Sequence, residues 1–162
     1  MFVFPDCATG LARVLDGAEV AGHVLTTFPG VLMPGFEEDL PAVLFARSGE
    51  GSVSGPFATE GVQVQVFAPR WDAVGIADAL ASWLEVPGGV ELPDGHIDLV
   101  RVAGRPTPLP YPSETVAQVV FTVLCDTRGE VIAGLNLPML IKLASVRGRE
   151  TLEACVAHAQ DA

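Results

Sequence analysis

Between Gly61 and Ala68 the chain alternates, with Val62, Val64, Val66 and Ala68 set against Gln63, Gln65 and Phe67. A period of two is that of a strand with one face in a core and the other face wetter. Pro69 lacks the amide that a further ladder bond needs, and Asp72 offers a carboxylate to the free N–H groups of a helix start. The period then turns helical. Ala73, Ile76, Ala77, Leu80 and Leu84 share one side, Asp78, Ser82 and Glu85 fall away from it, and Pro87-Gly88-Gly89 stops a helix predicted over Asp72–Val86.

Upstream, Asp6–Asp16 reads as a short helix with Leu11, Val14 and Leu15 on one side and Gly17 at its end, weakened by Gly10. His23–Phe28 is rich in β-branched residues and ends at Pro29-Gly30, a strand followed by a turn. Residues 30–41 read as a loop carrying Glu37, Glu38 and Asp39. Ala42–Arg47 is the next strand, and Ser48–Gly55, with its glycines and serines, reads as a flexible connector that closes a hairpin onto the 61–68 strand. Downstream, Ile97–Ala103 is a strand entered through Asp94-Gly95. Proline at every second position from Pro106 to Pro112 favours extended backbone and forbids helix. Val116–Cys125 is the most apolar strand and belongs in the centre of a sheet, with Ala117, Val119, Phe121 and Val123 on one face. Two short helices are predicted near the end, over Pro138–Ala144 and Arg149–Ala159. The expected fold class is α+β, an antiparallel four- to five-stranded sheet with helices packed mainly on one face. The expected division is a domain over 1–128 and a helical extension over 129–162.

Composition narrows the class. With 162 residues and 49% hydrophobic content the chain has material for a real core. The nearly apolar run Val116–Cys125 is far shorter than the roughly 18 residues of a membrane helix. Met1-Phe-Val-Phe-Pro carries no basic leader, so no export is expected. Cys7, Cys125 and Cys155 are odd in number and scattered, which favours buried thiols in a reducing compartment over a disulfide framework. Residues 1–100 hold 14 acids against three bases, while residues 101–162 hold six of each, so the net charge of −11 belongs to the first part of the chain. Such a surface repels phosphates and argues against a nucleic-acid-binding role.

Standard catalytic constellations are missing from the sequence. Asp94, His96 and Asp98 could converge on a metal only along one strand face, and His23 and His158 have no ligand-spaced neighbours. Gly49-Glu-Gly-Ser-Val-Ser-Gly is glycine-rich, but no Gly-Lys-Ser/Thr follows and the next element is a strand, so no phosphate cradle is expected. No Gly-x-Ser-x-Gly elbow is present, and adjacent carboxylates such as Glu37-Glu38-Asp39 are ordinarily solvated surface. No metal, no cofactor and no enzymatic activity are expected. Trp71 and Trp83, about 120° apart around a helix, invite a second reading as interface anchors, because tryptophan is enriched at binding hot spots.

The order of elements resembles the tail terminator (tail-completion, minor tail protein) family of long-tailed phages. A helix comes first, then a strand ending at Phe28-Pro29, then Leu40-Pro-Ala-Val-Leu-Phe-Ala-Arg47, a glycine-rich turn, Val62-Gln-Val-Gln-Val-Phe-Ala-Pro-Arg70, a helix, a proline loop and a long last strand. The likeness covers about residues 6–128. It implies an antiparallel sheet flanked by helices and a hexameric ring that stops growth of the tail tube and presents a surface to the head–tail connector. The implied partners are other copies of the chain, the tail tube protein and the connector protein, with DNA passing through without specific binding. The implied location is the tail or neck of the virion after assembly in the host cytoplasm. Under that resemblance Glu37, Glu38 and Asp39 are candidates for the ring lumen, and Trp71, Trp83, Arg105 and Tyr111 for subunit or partner interfaces. The alternative is a small dimeric ligand-binding module without catalysis.

Overall fold

In the computed structural model, which describes residues 2–131, the segment Phe2–Glu130 forms one compact unit. Its elements in order are β1 (Phe2–Val3), α1 (Cys7–Leu15), β2 (Glu19–Val20), β3 (His23–Val24), β4 (Thr26–Pro29), a 3-10 turn at Phe36–Glu38, β5 (Ala42–Ser54) and β6 (Phe57–Pro69). They continue with α2 (Ala73–Leu84), β7 (Val90–Leu92), β8 (Gly95–Val102), β9 (Thr107–Leu109) and β10 (Val116–Arg128). The predicted helices over 138–144 and 149–159 lie outside the described residues.

The expected pairing at the centre is present. β10 runs antiparallel to β6 along its full length, from Val116 opposite Pro69 to Arg128 opposite Phe57. Their buried faces carry Val62, Val64, Val66, Ala68, Val119, Phe121, Val123 and Cys125. Onto that face pack Leu11 and Leu15 of α1 and Ile76, Leu80 and Leu84 of α2, all fully buried and in one core cluster. Asp6 caps α1 by accepting the Thr9 amide at 3.1 Å, whereas Asp72 sits at the N-cap of α2 with no side-chain bond to it. Gly10 costs helix propensity, but a Cβ there would meet the Leu92 side chain at 2.6 Å, so the residue lets β7 approach α1.

The expected fold class, a four- to five-stranded antiparallel α+β sheet, is wrong. The protein is mostly β, and its main sheet has seven strands in the order β4-β5-β6-β10-β8-β7, with β9 also paired to β10. That sheet is curled into a half-barrel, and it is mixed because β4 runs parallel to β5, Thr26 opposite Ala42 and Pro29 opposite Phe45. The physical reason is the segment 30–41. A parallel neighbour needs a crossover of about a dozen residues, and this loop supplies one by crossing the sheet face opposite the helices. Leu32, Phe36 and Leu40 on the loop pack there against Ala42, Leu44, Phe67 and Val116 in a second small core.

A further correction concerns the connector expected over Ser48–Gly55: Ser48–Ser54 is strand, and only Gly55 and Pro56 form the turn. Gly51 lies opposite Glu60 and Ser54 opposite Phe57, after a register shift between Arg47 and Gly51. Gly51 has φ +149°, and a Cβ on it would stand 2.3 Å from the Thr59 carbonyl oxygen, so its glycine serves a bulge. Short strands such as β7, and β9 with its proline, escaped the periodicity because two or three residues define no period.

Candidate functional site

Alternating prolines hold residues 106–112 extended, and the sheet uses that shape. Thr107–Leu109 pairs with Gln118–Val120 of β10, Pro108 opposite Val119. Proline is tolerated because, among the described residues, β9 pairs with β10 alone and no outer strand asks for its amide. The chain then turns at Ser113, whose Oγ accepts from the Val116 amide at 3.1 Å. Tyr111 is thereby set over the loop-covered face of the sheet. Its ring meets Phe67 edge-on at 5.4 Å between centroids, and Phe67 meets Phe36 in the same way at 5.1 Å.

Tyr111 also donates its hydroxyl to Oε1 of Glu37 at 2.5 Å. That hydrogen bond, followed by burial and the Glu37 charge, pushes the Tyr111 phenol above its usual value. The two proline-stiffened loops, 30–41 and 105–112, therefore meet. Glu37 and Glu38 stand on the 3-10 turn that Gly35 opens at φ +84°, Asp39 follows it, and all three are exposed.

Beside Tyr111 lies an open cleft of about 600 Å³ between the proline loop, the start of β10 and the start of α2. Arg70, Val74, Leu109, Tyr111 and Val116 are among its walls. Arg70 is fixed there: its amide donates to the Thr115 carbonyl and its Nη2 to the Ser113 carbonyl, each at 2.9 Å. Trp71 follows it in sequence and is 93% exposed, with Val74 and Leu109 also exposed. Trp83 stands near the other end of α2, roughly 15 Å from Ala73 along the helix axis at 1.5 Å per residue, and is less exposed than Trp71. Arg105 lies at the far end of the proline loop, where its carbonyl accepts from Thr107 Oγ1 at 3.1 Å. Of the four interface candidates, Tyr111 lines the cleft, Trp71 adjoins its Arg70, and Trp83 and Arg105 are not among its walls. Sequence reading missed Arg70, Val74 and Leu109. Nothing local marks them, because only the pairing of β9 with β10 brings the proline loop to α2.

The cleft has one guanidinium, already engaged with a carbonyl, and otherwise apolar and proline surface, which suits contact more than bond-making. Elsewhere His96 of β8 faces Glu91 of β7, Nδ1 to Oε1 at 3.1 Å, and among the described residues no three His, Cys, Asp or Glu side chains gather as a metal site. No helix among the described residues is long and apolar enough to cross a membrane. Neither family models nor curated proteins yield a match to this chain.

Proposed function

We propose that the chain is a structural subunit of the tail-terminator kind, one of about six copies in a ring that caps the tail tube, ends its growth and joins the tail to the head connector. The observation that carries the reading is Trp71, a large apolar side chain 93% exposed, next in sequence to Arg70 of a largely apolar cleft. Exposed apolar patches of this kind mark protein contacts, and tryptophan is the residue most enriched among their hot spots. The segments that carry the family likeness support it as well: residues 40–47 and 62–70 lie on neighbouring strands, Ala42 opposite Phe67 and Phe45 opposite Val64. In this reading the surface around Trp71 meets the next subunit, and Glu37, Glu38 and Asp39 face the bore, where carboxylates repel the phosphates of passing DNA.

The test is the mass of the purified full chain in solution, by light scattering across a concentration series. A ring has a mass near six times 16.9 kDa. A species of two subunits at every concentration favours the ligand-binding module instead, whose site would be the cleft of about 600 Å³. A monomer at every concentration removes both.

A further inference from the structure

Away from the cleft residues, a chain of charges links the start of α1 to the strands β5 and β6. Asp6 Oδ2 lies 3.5 Å from Nη2 of Arg47, and Nε of Arg47 lies 3.1 Å from Oε1 of Glu60. Glu60 faces Cys125 directly across the β6–β10 ladder, so the two side chains share a face. The Glu60 carboxylate lies beside the backbone of Cys7, the residue after Asp6, and the Cys7 thiol, which donates to the Pro5 carbonyl at 4.0 Å, lies beside that of Cys125. Both cysteines are fully buried in the same core. Two residues 118 positions apart in sequence are thus held side by side at the foot of the first helix.

We propose that Cys7 and Cys125 are a redox-responsive pair, closing into a disulfide that staples α1 to the central strand when the protein meets a small-molecule disulfide. The chemistry is two thiol–disulfide exchanges. In the first, Cys7 loses its proton to water and its thiolate attacks one sulfur of glutathione disulfide; the S–S bond breaks and one glutathione leaves as thiolate, then takes a proton. In the second, the Cys125 thiolate attacks the Cys7 sulfur of the mixed disulfide and expels the second glutathione. Two protein thiols are oxidised, one small disulfide is reduced to two thiols, and no further reactant is needed.

The surroundings decide what kind of pair this is. The neighbouring Cys125 thiol, burial, and the charges of Glu60 and Asp6 all raise the Cys7 thiol above its usual range, so little thiolate forms in the closed structure. A catalytic dithiol needs the opposite. The pair therefore reacts when the N-terminal segment opens, and once joined it is sealed from reductant by the same burial: a slow staple and not a turnover centre. The inference is independent of the ring reading. If that reading holds, assembly inside a reducing cell followed by release is the passage that would close the bond.

The test uses the full chain carrying Cys155→Ser, so that only this pair remains. It is incubated with glutathione disulfide, in plain buffer and in urea below the unfolding transition, then alkylated under denaturing conditions and mapped by mass spectrometry after trypsin. The expected result is a species lighter by two hydrogens, a linked peptide pair containing Cys7 and Cys125, and a denaturant midpoint that rises on oxidation and returns with reductant. Cys7→Ala in the same background abolishes both the linkage and the midpoint shift. Two alkylated thiols under both conditions, or glutathione adducts that never resolve to the internal bond, would overturn the proposal.

Discussion

Tyr111 donates to Glu37 across 74 residues of sequence, and this one bond ties the proline loop beside β10 to the crossover loop that makes the sheet mixed. The pair is exposed, so the ring contacts and not the hydrogen bond carry most of its stabilising effect. Tyr111→Phe keeps the edge-to-face contact with Phe67 and is expected to lower stability by less than about 1 kcal/mol. Tyr111→Ala loses the ring and is expected to cost about 2 kcal/mol or more. The bond also has a pH signature. A phenol raised in the folded state stabilises fully below its ordinary pKa of 10.0, and that contribution is lost as pH rises through the folded value. Urea unfolding of parent and Tyr111→Phe at pH 8 and above pH 10 checks this: their difference should shrink in base.

Glu60 has the reverse of the usual carboxylate behaviour. Burial raises it above 4.5, and the opposing pull of Arg47, whose Nε lies 3.1 Å from Oε1, is the smaller effect and does not bring it back. The stability linked to its protonation is complete below 4.5 and is lost as pH rises through the folded value. Glu60→Gln keeps the shape of the side chain and removes the partly buried charge. Relative to the parent, the variant should gain stability between about pH 4.5 and 7. Denaturant melts showing the difference moving the other way would refute the assignment. Asp6 acts in the opposite sense: burial raises it, but the Thr9 bonds and Arg47 outweigh burial and lower it, so its contribution is present above 3.8 and lost in stronger acid.

Gly89 is the most constrained of the turn glycines after α2. Its φ is +75°, and a Cβ there would stand 1.9 Å from the Ile97 carbonyl oxygen, a backbone atom that cannot step aside. Gly89→Ala is expected to destabilise by about 2 kcal/mol or more, combining left-handed strain with the displacement of β8. Gly88→Ala, also at positive φ but in open space, should cost less. Thermal melts of the two variants, ranked the other way round, would contradict the account.

The difference between Gly51 and Val64 shows how far sequence alone reaches. Val64 sits in a clean alternation whose period has one physical meaning, and the strand, its buried face and the helix laid over it all followed. Gly51 sits among glycines and serines, a composition shared by linkers and by bulged strands, and only its approach to Thr59 tells them apart. The parallel β4 was hidden similarly, because strand direction depends on where the loop crosses and not on the composition of Thr26–Pro29. At the candidate site, Tyr111, Glu37 and Trp71 were each legible as unusual residues. Their arrangement was not, since long-range pairing such as Pro108 with Val119 leaves no mark in local sequence.

Trp71 gives the sharpest test of the interaction surface. At 93% exposure it makes little packing contact within its own subunit, so Trp71→Asp should change stability by no more than about 0.5 kcal/mol. A tryptophan at the centre of an interface behaves differently. Losing such an anchor costs about 2 kcal/mol or more, which weakens association roughly thirtyfold per contact. In a closed ring every subunit uses the surface, so the loss repeats at each junction and the assembly should fall apart at concentrations where the parent is intact. Trp83→Asp, at the other end of α2 and only 38% exposed, tests the second interface candidate separately. Light scattering beside thermal melts separates the outcomes. A Trp71→Asp chain that melts like the parent but has lost its oligomer supports the surface. One that keeps its oligomer while remaining folded removes Trp71 from the interface.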